Sequence, residues 1–248
     1  MNQDRIQKIK DFYKKRLNNF EKNWEDRTYL YGWRNPIGLY MRQRIQRYLI
    51  EMLNKHNLFL AEKRILDIGC GYGHWLRFFA EIRGNSQELA GLDISPQRIS
   101  KAKALSPRGI ELIIGDAVSL PFADESFDIV TQFDTFEHLV DEAELKKAAH
   151  ELVRVLRENG FLLWFDLLPF AECSDLIRGY SLKEVKALFP EFKLLDYKPI
   201  FKKFNLIFKN ISAVYRFPKF SFMLTDLVEK VPFGNYSNLL ILMQKKNG

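Results

Sequence analysis

The feature that most constrains this chain is an apolar run that leads directly into a glycine turn. The segment Arg64–Trp75 reads RILDIGCGYGHW. A bounded apolar run of this length predicts a buried strand, and the glycines predict a tight turn into the amphipathic segment that follows. Glycine has no Cβ, so a ligand can lie against the backbone at the carboxyl end of the strand, where a helix N-terminus presents free N–H groups. The segment therefore predicts an α/β fold with a ligand site at this turn.

The spacing of the glycines argues against a dinucleotide ligand. The dinucleotide fingerprint Gly-x-Gly-x-x-Gly would need its third glycine at His74, and here that glycine comes one residue earlier, at Gly73. Asp67 also lies two residues before the first glycine. A carboxylate there would repel a pyrophosphate, whereas it suits a ligand that carries an ammonium group. S-adenosylmethionine has an ammonium group, a sulfonium and no phosphate.

The glycine turn resembles motif I of the class I S-adenosylmethionine-dependent methyltransferases. That motif has the form hydrophobic-hydrophobic-Asp-hydrophobic-Gly-x-Gly-x-Gly, and the sequence matches it in register. The resemblance implies a doubly wound sheet of seven mostly parallel strands whose last strand is antiparallel. It also implies that the turn binds S-adenosylmethionine, and the product S-adenosylhomocysteine, through Asp67, Gly69, Cys70, Gly71 and Gly73.

Two more acidic residues follow predicted strands. Asp93 ends the predicted strand Leu89–Asp93, roughly 20 residues past the glycine turn, where nucleoside-binding α/β folds place an acid for the ribose hydroxyls. Asp116 follows the third predicted strand, where the resemblance implies an acid for the adenine amine, with the Ala117 N–H meeting a ring nitrogen. One such aspartate is equally consistent with a helix cap or turn. Three in successive β–α units favour a cofactor site, to which we add Ile94.

The approach to the fourth strand carries a second resemblance. The segment Leu120–Val130 reads LPFADESFDIV and resembles the same region of the ubiquinone/menaquinone-type methyltransferases and their small-molecule relatives. The strand is predicted over Phe127–Phe133, and Phe133 and Asp134 are added to the cofactor site. The nucleic-acid amino-methyltransferases carry an Asn/Asp-Pro-Pro-Tyr/Phe clamp here. Thr135–Phe136 does not provide that clamp, which argues against a base amino group as the acceptor.

His138 is the candidate catalytic residue. It follows the fourth strand by a few residues, at the sheet edge that faces the cofactor. A histidine titrates near neutral pH, so it could remove a proton from a hydroxyl acceptor, with the neighbouring Glu137 orienting it. The alternative is that His138 packs at the start of the next helix or bonds the backbone.

The rest of the core follows the expected order of elements. A helix is predicted over Glu142–Arg157 and a continuous apolar strand over Phe161–Leu168. The sixth and seventh strands are predicted near Phe192–Lys198 and Leu239–Gln244. Two helix starts have clear signals, which are Ser95 before a proline and the capping box that begins at Ser181.

Both flanking regions depart from the common family pattern. Residues 1–58 are predicted to form a helical cap, with helices over Asp4–Trp24 and Pro36–Leu53. Tyr31, Trp33 and Arg42 are candidates for closing the cofactor site, although arginines on such a helix commonly form a solvated face. The predicted core comprises residues 59–198 and 239–248. Between its last two strands lies a predicted insertion, 199–238, rich in phenylalanine and lysine. It is predicted to be a lid, or alternatively ordinary helices or an interface.

Composition narrows the class of protein and its partners. The chain has 248 residues, two cysteines and a formal net charge of +7. The sequence predicts no disulfide framework, no metal cluster, no signal peptide and no membrane span, and hence a cytoplasmic protein. The positive charge raises the expectation of an anionic partner, so nucleic acid or a peripheral membrane contact stays open beside a small-molecule acceptor. The oligomeric state is not indicated.

The sequence thus predicts an S-adenosylmethionine-dependent methyltransferase that acts on a small-molecule or metabolite acceptor. A sugar, a lipid-linked compound or a polyketide-like compound would each be consistent with it. Two alternatives stay open. One is an RNA methyltransferase, which the charge favours and Thr135–Phe136 disfavours. The other is a non-catalytic subunit that binds S-adenosylmethionine, against which the three intact aspartates argue.

Overall fold

The computed structural model describes Gln7 and residues 36–169, 177–202 and 236–247. In these ranges a seven-stranded sheet has the strand order β3-β2-β1-β4-β5-β7-β6. Its strands are β1 (Ile65–Ile68), β2 (Leu89–Asp93), β3 (Glu111–Ile114), β4 (Phe127–Phe133), β5 (Leu156–Leu167), β6 (Phe192–Lys202) and β7 (Tyr236–Lys245). The helices are α1 (Pro36–Lys55), α2 (His74–Arg83), α3 (Pro96–Leu105), α4 (Glu142–Val155) and α5 (Leu182–Leu188), with a 3₁₀ turn at Phe136–His138.

The strand directions confirm the predicted fold class. Strands β1 to β5 pair in parallel, and β7 runs antiparallel to both β5 and β6. The strand order reverses at β1, which lies between β2 and β4. In open α/β sheets the ligand site lies beyond the carboxyl ends of the strands at such a reversal. The glycine turn lies at that point.

The sheet is covered on both faces, which explains why its strands are continuously apolar. Alternate residues of one strand belong to two different hydrophobic clusters. In β1, Leu66 and Ile68 pack in the cluster that contains α4, whereas Ile65 packs in the cluster that contains α1 and α2. The period of two along a strand sends neighbouring side chains to opposite faces. Every position of β1 is therefore buried, as the apolar run predicts.

Both predicted helix starts are confirmed. Ser95 caps α3, because its side chain accepts from the Arg98 N–H and a proline occupies the first turn. Ser181 caps α5 through a complete capping box with Glu184. Each cap satisfies an N–H group that would otherwise lack a partner at the helix start.

The join between α4 and β5 lies earlier than predicted. The helix ends at Val155, and the strand begins at Leu156 rather than at the predicted Phe161. The pairing with β4 shifts register between Phe127 and Ile129, so the extra residues form an irregularity in the strand. Residues 158–160, which lie between the predicted helix and the predicted strand, therefore belong to the strand itself.

The last two strands are longer than predicted. Residues 199–202 extend β6 and residues 236–238 extend β7, with Ile200 paired to Asn238 and Lys202 paired to Tyr236. These residues fall within the predicted insertion 199–238, so the two strands run further into it than predicted. The remainder of the insertion, 203–235, lies outside the described residues.

The second predicted helix is present, and it ends at Lys55 rather than at Leu53. Its second half packs on the sheet, where Leu49, Met52 and Leu53 join the core. The predicted helix over 4–24 and the candidates Tyr31 and Trp33 lie outside the described residues. In the described part of the chain, no helix combines the length and the apolar character that crossing a membrane requires.

Candidate functional site

The glycine turn has the backbone conformation that only glycine adopts easily. Gly69, Gly71 and Gly73 have φ angles of 73°, 54° and 71°. The Gly69 and Cys70 N–H groups both donate to the Leu92 carbonyl, at 2.7 and 2.9 Å, which ties the turn to β2. A residue with a Cβ would pay roughly 1–2 kcal/mol for each left-handed position. The alternating glycines therefore build a turn whose backbone can approach a ligand closely.

Gly69 is also required by the end of the neighbouring strand. A Cβ at Gly69 would overlap the side chain of Thr135, which lies just after β4. The Thr135 hydroxyl donates to the Ile68 carbonyl at 3.1 Å. The contact joins the turn after β1 to the turn after β4. Thr135 is thus a structural residue of the site.

Asp67 carries the most unusual electrostatics of the site. Its carboxyl is 1% exposed, and its Oδ1 accepts from the Thr131 hydroxyl at 2.8 Å. Burial raises the pKa of Asp67 from 3.8 to about 7, opposed by the Thr131 hydrogen bond and assisted by the nearby Asp93. Its Oδ2 has no hydrogen-bond partner among the described residues. A buried polar atom without a partner costs about 1–3 kcal/mol, so a ligand ammonium group at this oxygen would relieve that cost.

Asp93 has a role that the sequence did not indicate. Its Oδ2 accepts from the Gly71 N–H at 3.0 Å and its Oδ1 from the Ser95 N–H at 2.8 Å. The Arg98 guanidinium lies 3.8 Å away. The carboxylate therefore fastens the glycine turn to the start of α3. A carboxylate can accept about four hydrogen bonds, so this leaves acceptor capacity for ribose hydroxyls.

The adenine-side candidates lie together after β3. Asp116 is half-buried, and its Oδ1 accepts from the Val118 N–H at 3.3 Å, which closes a local turn. Ala117 is buried, and Ile94, after β2, is half-buried. The structure thus gives Asp116 the local turn contact that the sequence left as an alternative. Its contact with adenine stays a prediction.

Phe133 packs against an aromatic residue that the sequence analysis did not single out. Its ring stacks on Trp75 with centroids 4.1 Å apart and an interplanar angle of 19°. Trp75 lies in the first turn of α2, directly after the glycine turn. Only 6% of Phe133 is exposed, whereas the next residue, Asp134, is exposed with a φ of 54°. Phe133 therefore packs between the two turns, next to the more exposed Asp134.

The turn after β4 is held by buried side chains. The Gln132 Oε1 accepts from the N–H groups of Thr135 and Phe136, each at 3.2 Å. Its Nε2 donates to the Asp166 Oδ2 at 3.2 Å and to a β5 carbonyl. The Tyr180 hydroxyl is within hydrogen-bond distance of two carbonyls of the same turn, including that of Phe136 at 3.0 Å. Nothing in the sequence marks Asp166 and Tyr180 as neighbours of this turn, and Gln132 belongs to no motif that would single it out.

His138 lies at the end of this turn. Its side chain is 10% exposed, and its Nε2 lies 3.6 Å from the Glu137 Oε1. Glu137 is itself 5% exposed. The predicted neighbour therefore does face the imidazole. The proton-abstracting role stays a prediction.

Three carboxylates converge beside His138. Asp134, Glu137 and Asp166 each bring one oxygen to within 4.8 Å of the others. They come from the ends of two strands, so their spacing in the sequence gave no metal-ligand pattern. Among the described residues they are the group whose composition would suit a cation.

Of the three candidates for a cap, only Arg42 lies in the described part of the chain. It is half-buried on α1. Arg44, on the same helix, donates to the hydroxyls of Tyr40 and Tyr48 at 3.0 and 2.8 Å. A role of Arg42 in closing the site stays a prediction.

Comparison with known proteins matches the core of the chain to one family. Residues 66–164 match the family model described as a methyltransferase domain. The match begins in β1 and ends in β5, so it contains the glycine turn, the three aspartates and the turn after β4. Both this match and the strand order resemble those of the class I S-adenosylmethionine-dependent methyltransferases. S-adenosylmethionine is the cofactor that this family and fold imply, and the unpartnered Asp67 Oδ2 fits its ammonium group.

Several curated proteins resemble this domain in sequence. A 2-methyl-6-phytyl-1,4-hydroquinone methyltransferase of Synechocystis is 36% identical over 104 residues, 41% of this chain and 31% of that protein. A phthiotriol/phenolphthiotriol dimycocerosates methyltransferase of Mycobacterium ulcerans is 32% identical over 137 residues, 52% of this chain and 49% of that protein. An Arabidopsis thaliana tRNA (carboxymethyluridine(34)-5-O)-methyltransferase is 39% identical over 99 residues, 40% of this chain and 22% of that protein. The chain thus spans less than half the length of these relatives.

Solved structures share the fold over most of the chain. An S-adenosylmethionine-dependent methyltransferase from Mesorhizobium loti aligns with a TM-score of 0.58 at 16% identity, covering 80% of this chain and 96% of that one. The [4+2]-cyclase SpnF aligns with a TM-score of 0.58 at 18% identity, covering 83% of both chains. At these identities the likeness concerns the fold alone, and one of these folds carries the name of a different reaction.

Proposed function

We propose that this protein transfers the methyl group of S-adenosylmethionine to a small-molecule acceptor. The observation that carries the proposal is the unpartnered, buried Oδ2 of Asp67 beside a left-handed glycine turn. The Asp67 oxygen offers an acceptor for an ammonium group, and the adjacent turn offers a backbone that a ligand can approach closely. The sequence match over residues 66–164 supports the same cofactor.

The residues would divide the work of binding between them. Asp67 would bind the ammonium group, Asp93 the ribose hydroxyls, and Asp116 with the Ala117 N–H the adenine. When bound, S-adenosylmethionine supplies a methyl group that its sulfonium already makes electrophilic. The protein then has mainly to hold donor and acceptor in line and to exclude water, for which proximity alone is worth several kcal/mol.

Two side chains after β4 favour a small molecule over a nucleobase amine. The Phe136 ring is fully buried and packs against Trp164 with centroids 4.7 Å apart. The Thr135 hydroxyl donates to the Ile68 carbonyl. Neither side chain projects to clamp a flat base. Relatives named for quinone and lipid substrates agree with this preference, and the tRNA relative keeps the RNA alternative open for a hydroxyl acceptor.

His138 is proposed as the general base. It would accept the acceptor's hydroxyl proton as the C–S bond breaks and the C–O bond forms, and it would then release that proton to solvent. Glu137, whose Oε1 lies 3.6 Å from Nε2, would stabilise the imidazolium. This assignment applies to a hydroxyl acceptor, because such an acceptor must lose a proton when it gains a methyl group.

The insertion is proposed as the cover of the acceptor site. It connects the ends of β6 and β7. In the described part of the chain these two strands pair as far as Lys202 and Tyr236. Replacing residues 203–235 by a short turn should spare cofactor binding and abolish methyl transfer. An unchanged rate in the shortened protein would make the segment structural or an interface.

Calorimetry with S-adenosylmethionine tests the cofactor site. Asp93→Ala should weaken binding by about 2 kcal/mol or more, roughly 30-fold, because hydrogen bonds to a charged group are lost. Asp141→Ala is the matched control, since Asp141 only caps α4 and its loss should leave the affinity unchanged. Undiminished affinity in Asp93→Ala would refute the site, and binding of a nicotinamide dinucleotide would refute the ligand class.

Incubation with a cell extract tests the acceptor class. Isotopically labelled S-adenosylmethionine should place its label in a small organic compound that mass analysis identifies. Label in RNA, together with salt-sensitive binding to polyanions, would favour the RNA alternative. Tight cofactor binding without any labelled product would favour the non-catalytic subunit.

A further inference from the structure

Asp67 belongs to a row of residues that crosses the sheet on one face. It lies opposite Gly91 of β2 on one side and opposite Thr131 of β4 on the other. Thr131 in turn lies opposite Leu163 of β5. Residues that lie opposite each other on paired strands point to the same face of the sheet. Leu163 belongs to the cluster that contains α1 and α2, so the carboxyl of Asp67 is enclosed on that apolar face.

The β2 side of Asp67 offers it no hydrogen bond in the described part of the chain. Gly91 has no side chain, and the side chains of Leu76 and Cys70 occupy the place that a Cβ would take there. Leu76 has no polar atom, and a thiol is a weak donor. Gly91 therefore makes room for apolar packing beside Asp67, and a strong donor to the carboxyl has to come from β4.

Thr131 supplies the one side-chain hydrogen bond that Asp67 has among the described residues. Thr131 is fully buried, and its hydroxyl lies 2.8 Å from the Asp67 Oδ1 and 3.4 Å from the Leu66 carbonyl oxygen. A hydroxyl has one proton, and the shorter distance and the charge of a carboxylate favour donation to Asp67. A hydrogen bond donated to a carboxylate also favours its charged form, which is the form that binds an ammonium group.

This hydrogen bond fixes one carboxyl oxygen and leaves the other available. The terminal torsion of an aspartate side chain is broad, so the carboxyl turns easily unless a partner holds it. Threonine is β-branched and stiff, which makes its hydroxyl a fixed partner. With Oδ1 held, Oδ2 is the buried oxygen that lacks a hydrogen-bond partner among the described residues.

We propose that Thr131 is a positioning residue of the cofactor site, whose hydroxyl holds the Oδ1 of Asp67 so that Oδ2 receives the ammonium group of S-adenosylmethionine. Thr131 acts through Asp67 and does not itself touch the ligand. It therefore determines how strongly the site recognises the amino-acid end of the cofactor. This inference rests on the proposed function, because that function makes Asp67 the acceptor for the ammonium group.

The competing interpretation is that the Thr131 hydroxyl only satisfies a buried carboxyl and so contributes to folding alone. The two interpretations differ in ligand selectivity. A contribution to folding would lower the affinity for every ligand of the site by the same factor. A positioning role would lower the affinity only for ligands that carry the amino group.

The experiment measures by calorimetry the binding of S-adenosylhomocysteine and of its deamino analogue, which lacks only the amino group. Thr131→Val keeps the β-branched shape and removes the hydroxyl. It should weaken the binding of S-adenosylhomocysteine by about tenfold or more, because the hydrogen bond to the charged carboxylate is lost. Its affinity for the deamino analogue should equal that of the unmodified protein. The comparison is a double-mutant cycle between a side chain and a ligand group.

Thr131→Ser is the matched control, because it keeps the hydroxyl and loses the methyl group. It should bind S-adenosylhomocysteine as the unmodified protein does. An equal loss for both ligands in Thr131→Val would assign Thr131 to folding and overturn the proposal. An unchanged affinity for S-adenosylhomocysteine in Thr131→Val, or an equal loss in Thr131→Ser, would overturn it as well.

Failure of this inference can be told apart from failure of the proposed function. If S-adenosylhomocysteine does not bind the unmodified protein, both are overturned, whereas the outcomes above overturn the inference alone. Binding needs no acceptor, so a wrong acceptor class would leave the result intact. If Thr131→Val does not fold, Thr131→Cys takes its place, because a thiol is a weak donor. That variant should also lose affinity for S-adenosylhomocysteine alone, and an unchanged affinity would overturn the proposal.

Discussion

The two turns at the carboxyl edge of the sheet are built by opposite means. The turn after β1 is shaped by its own residues, three glycines with positive φ whose backbone bonds to β2. The turn after β4 is held by buried side chains that lie outside it, which are Gln132 on β4, Asp166 on β5 and Tyr180. The first turn must leave room for a ligand, so glycine occupies every second position from Gly69 to Gly73. The second must present side chains in fixed positions, so it is held by a buried polar network.

The largest expected effect comes from removing the network beneath the second turn. Gln132→Leu leaves the N–H groups of Thr135 and Phe136 without their acceptor, at about 1–3 kcal/mol each, so the free energy of unfolding should fall by about 4 kcal/mol. Chemical denaturation measures this loss. Gln87→Leu is the control, because Gln87 is exposed before β2 and its replacement should change stability by about 0.5 kcal/mol or less. A similar small loss in both variants would mean that the second turn does not depend on its buried support.

Adding a single methyl group to the first turn should lower the free energy of unfolding. Gly69→Ala combines a strained positive φ with overlap against Thr135, and we expect a loss of about 3 kcal/mol or more in the free energy of unfolding. Gly84→Ala isolates the strain, because Gly84 has a φ of 76° and nothing within 4 Å of an added Cβ. That control should cost about 1 kcal/mol. Equal losses in the two variants would show that Thr135 does not pack on the turn.

The chemistry of the second turn is tested by His138→Asn. General base catalysis typically contributes at least about 100-fold, so turnover should fall by that factor, with cofactor affinity unchanged. The rate loss should shrink at high pH, where a hydroxyl acceptor ionises without help. Steady-state kinetics at several pH values, with calorimetry for the cofactor, give both quantities. A loss of only a few-fold would return His138 to a packing role, and proximity would then carry the reaction.

The smallest effect concerns Asp67, a buried acid at the first turn whose pKa is raised. Its pKa rises from 3.8 in the unfolded chain to about 7 in the fold, so the folded state binds the extra proton between those values. The free energy of unfolding should therefore fall as pH rises through that window, by at most about 1.4 kcal/mol per pH unit. Denaturation at pH 5 and pH 7 measures the slope, and Asp67→Asn should flatten it. An unaltered slope in that variant would assign the pH dependence to other groups.

Binding of an ammonium ligand should act on the same proton. The ligand's positive charge favours the ionised Asp67, so binding near neutral pH should release a proton. Calorimetry in buffers of different ionisation enthalpy detects that release. The effect would link the buried acid of the first turn to its ligand.

The sequence determined those features whose cause is local. The glycine spacing, the aspartates at strand ends and the caps at Ser95 and Ser181 each act within a few residues, and the structure has them as predicted. The continuously apolar strands likewise predicted a sheet that is covered on both faces. Errors at this level were confined to element ends, such as the start of β5, where a shift in pairing register absorbs the extra residues.

Only the tertiary structure decided which side chains meet. Gln132 and Asp166 are 34 positions apart, and they become neighbours because β4 and β5 pair in parallel with Phe133 opposite Phe165. Thr135 packs on Gly69 for the same reason, since the carboxyl ends of parallel strands share one edge. The sequence shows how side chains alternate along a strand and where the strand ends. It does not show which residues of the neighbouring strands lie opposite. The ligand turn could therefore be predicted from the sequence alone, whereas the network that holds His138 became visible only once the sheet was assembled.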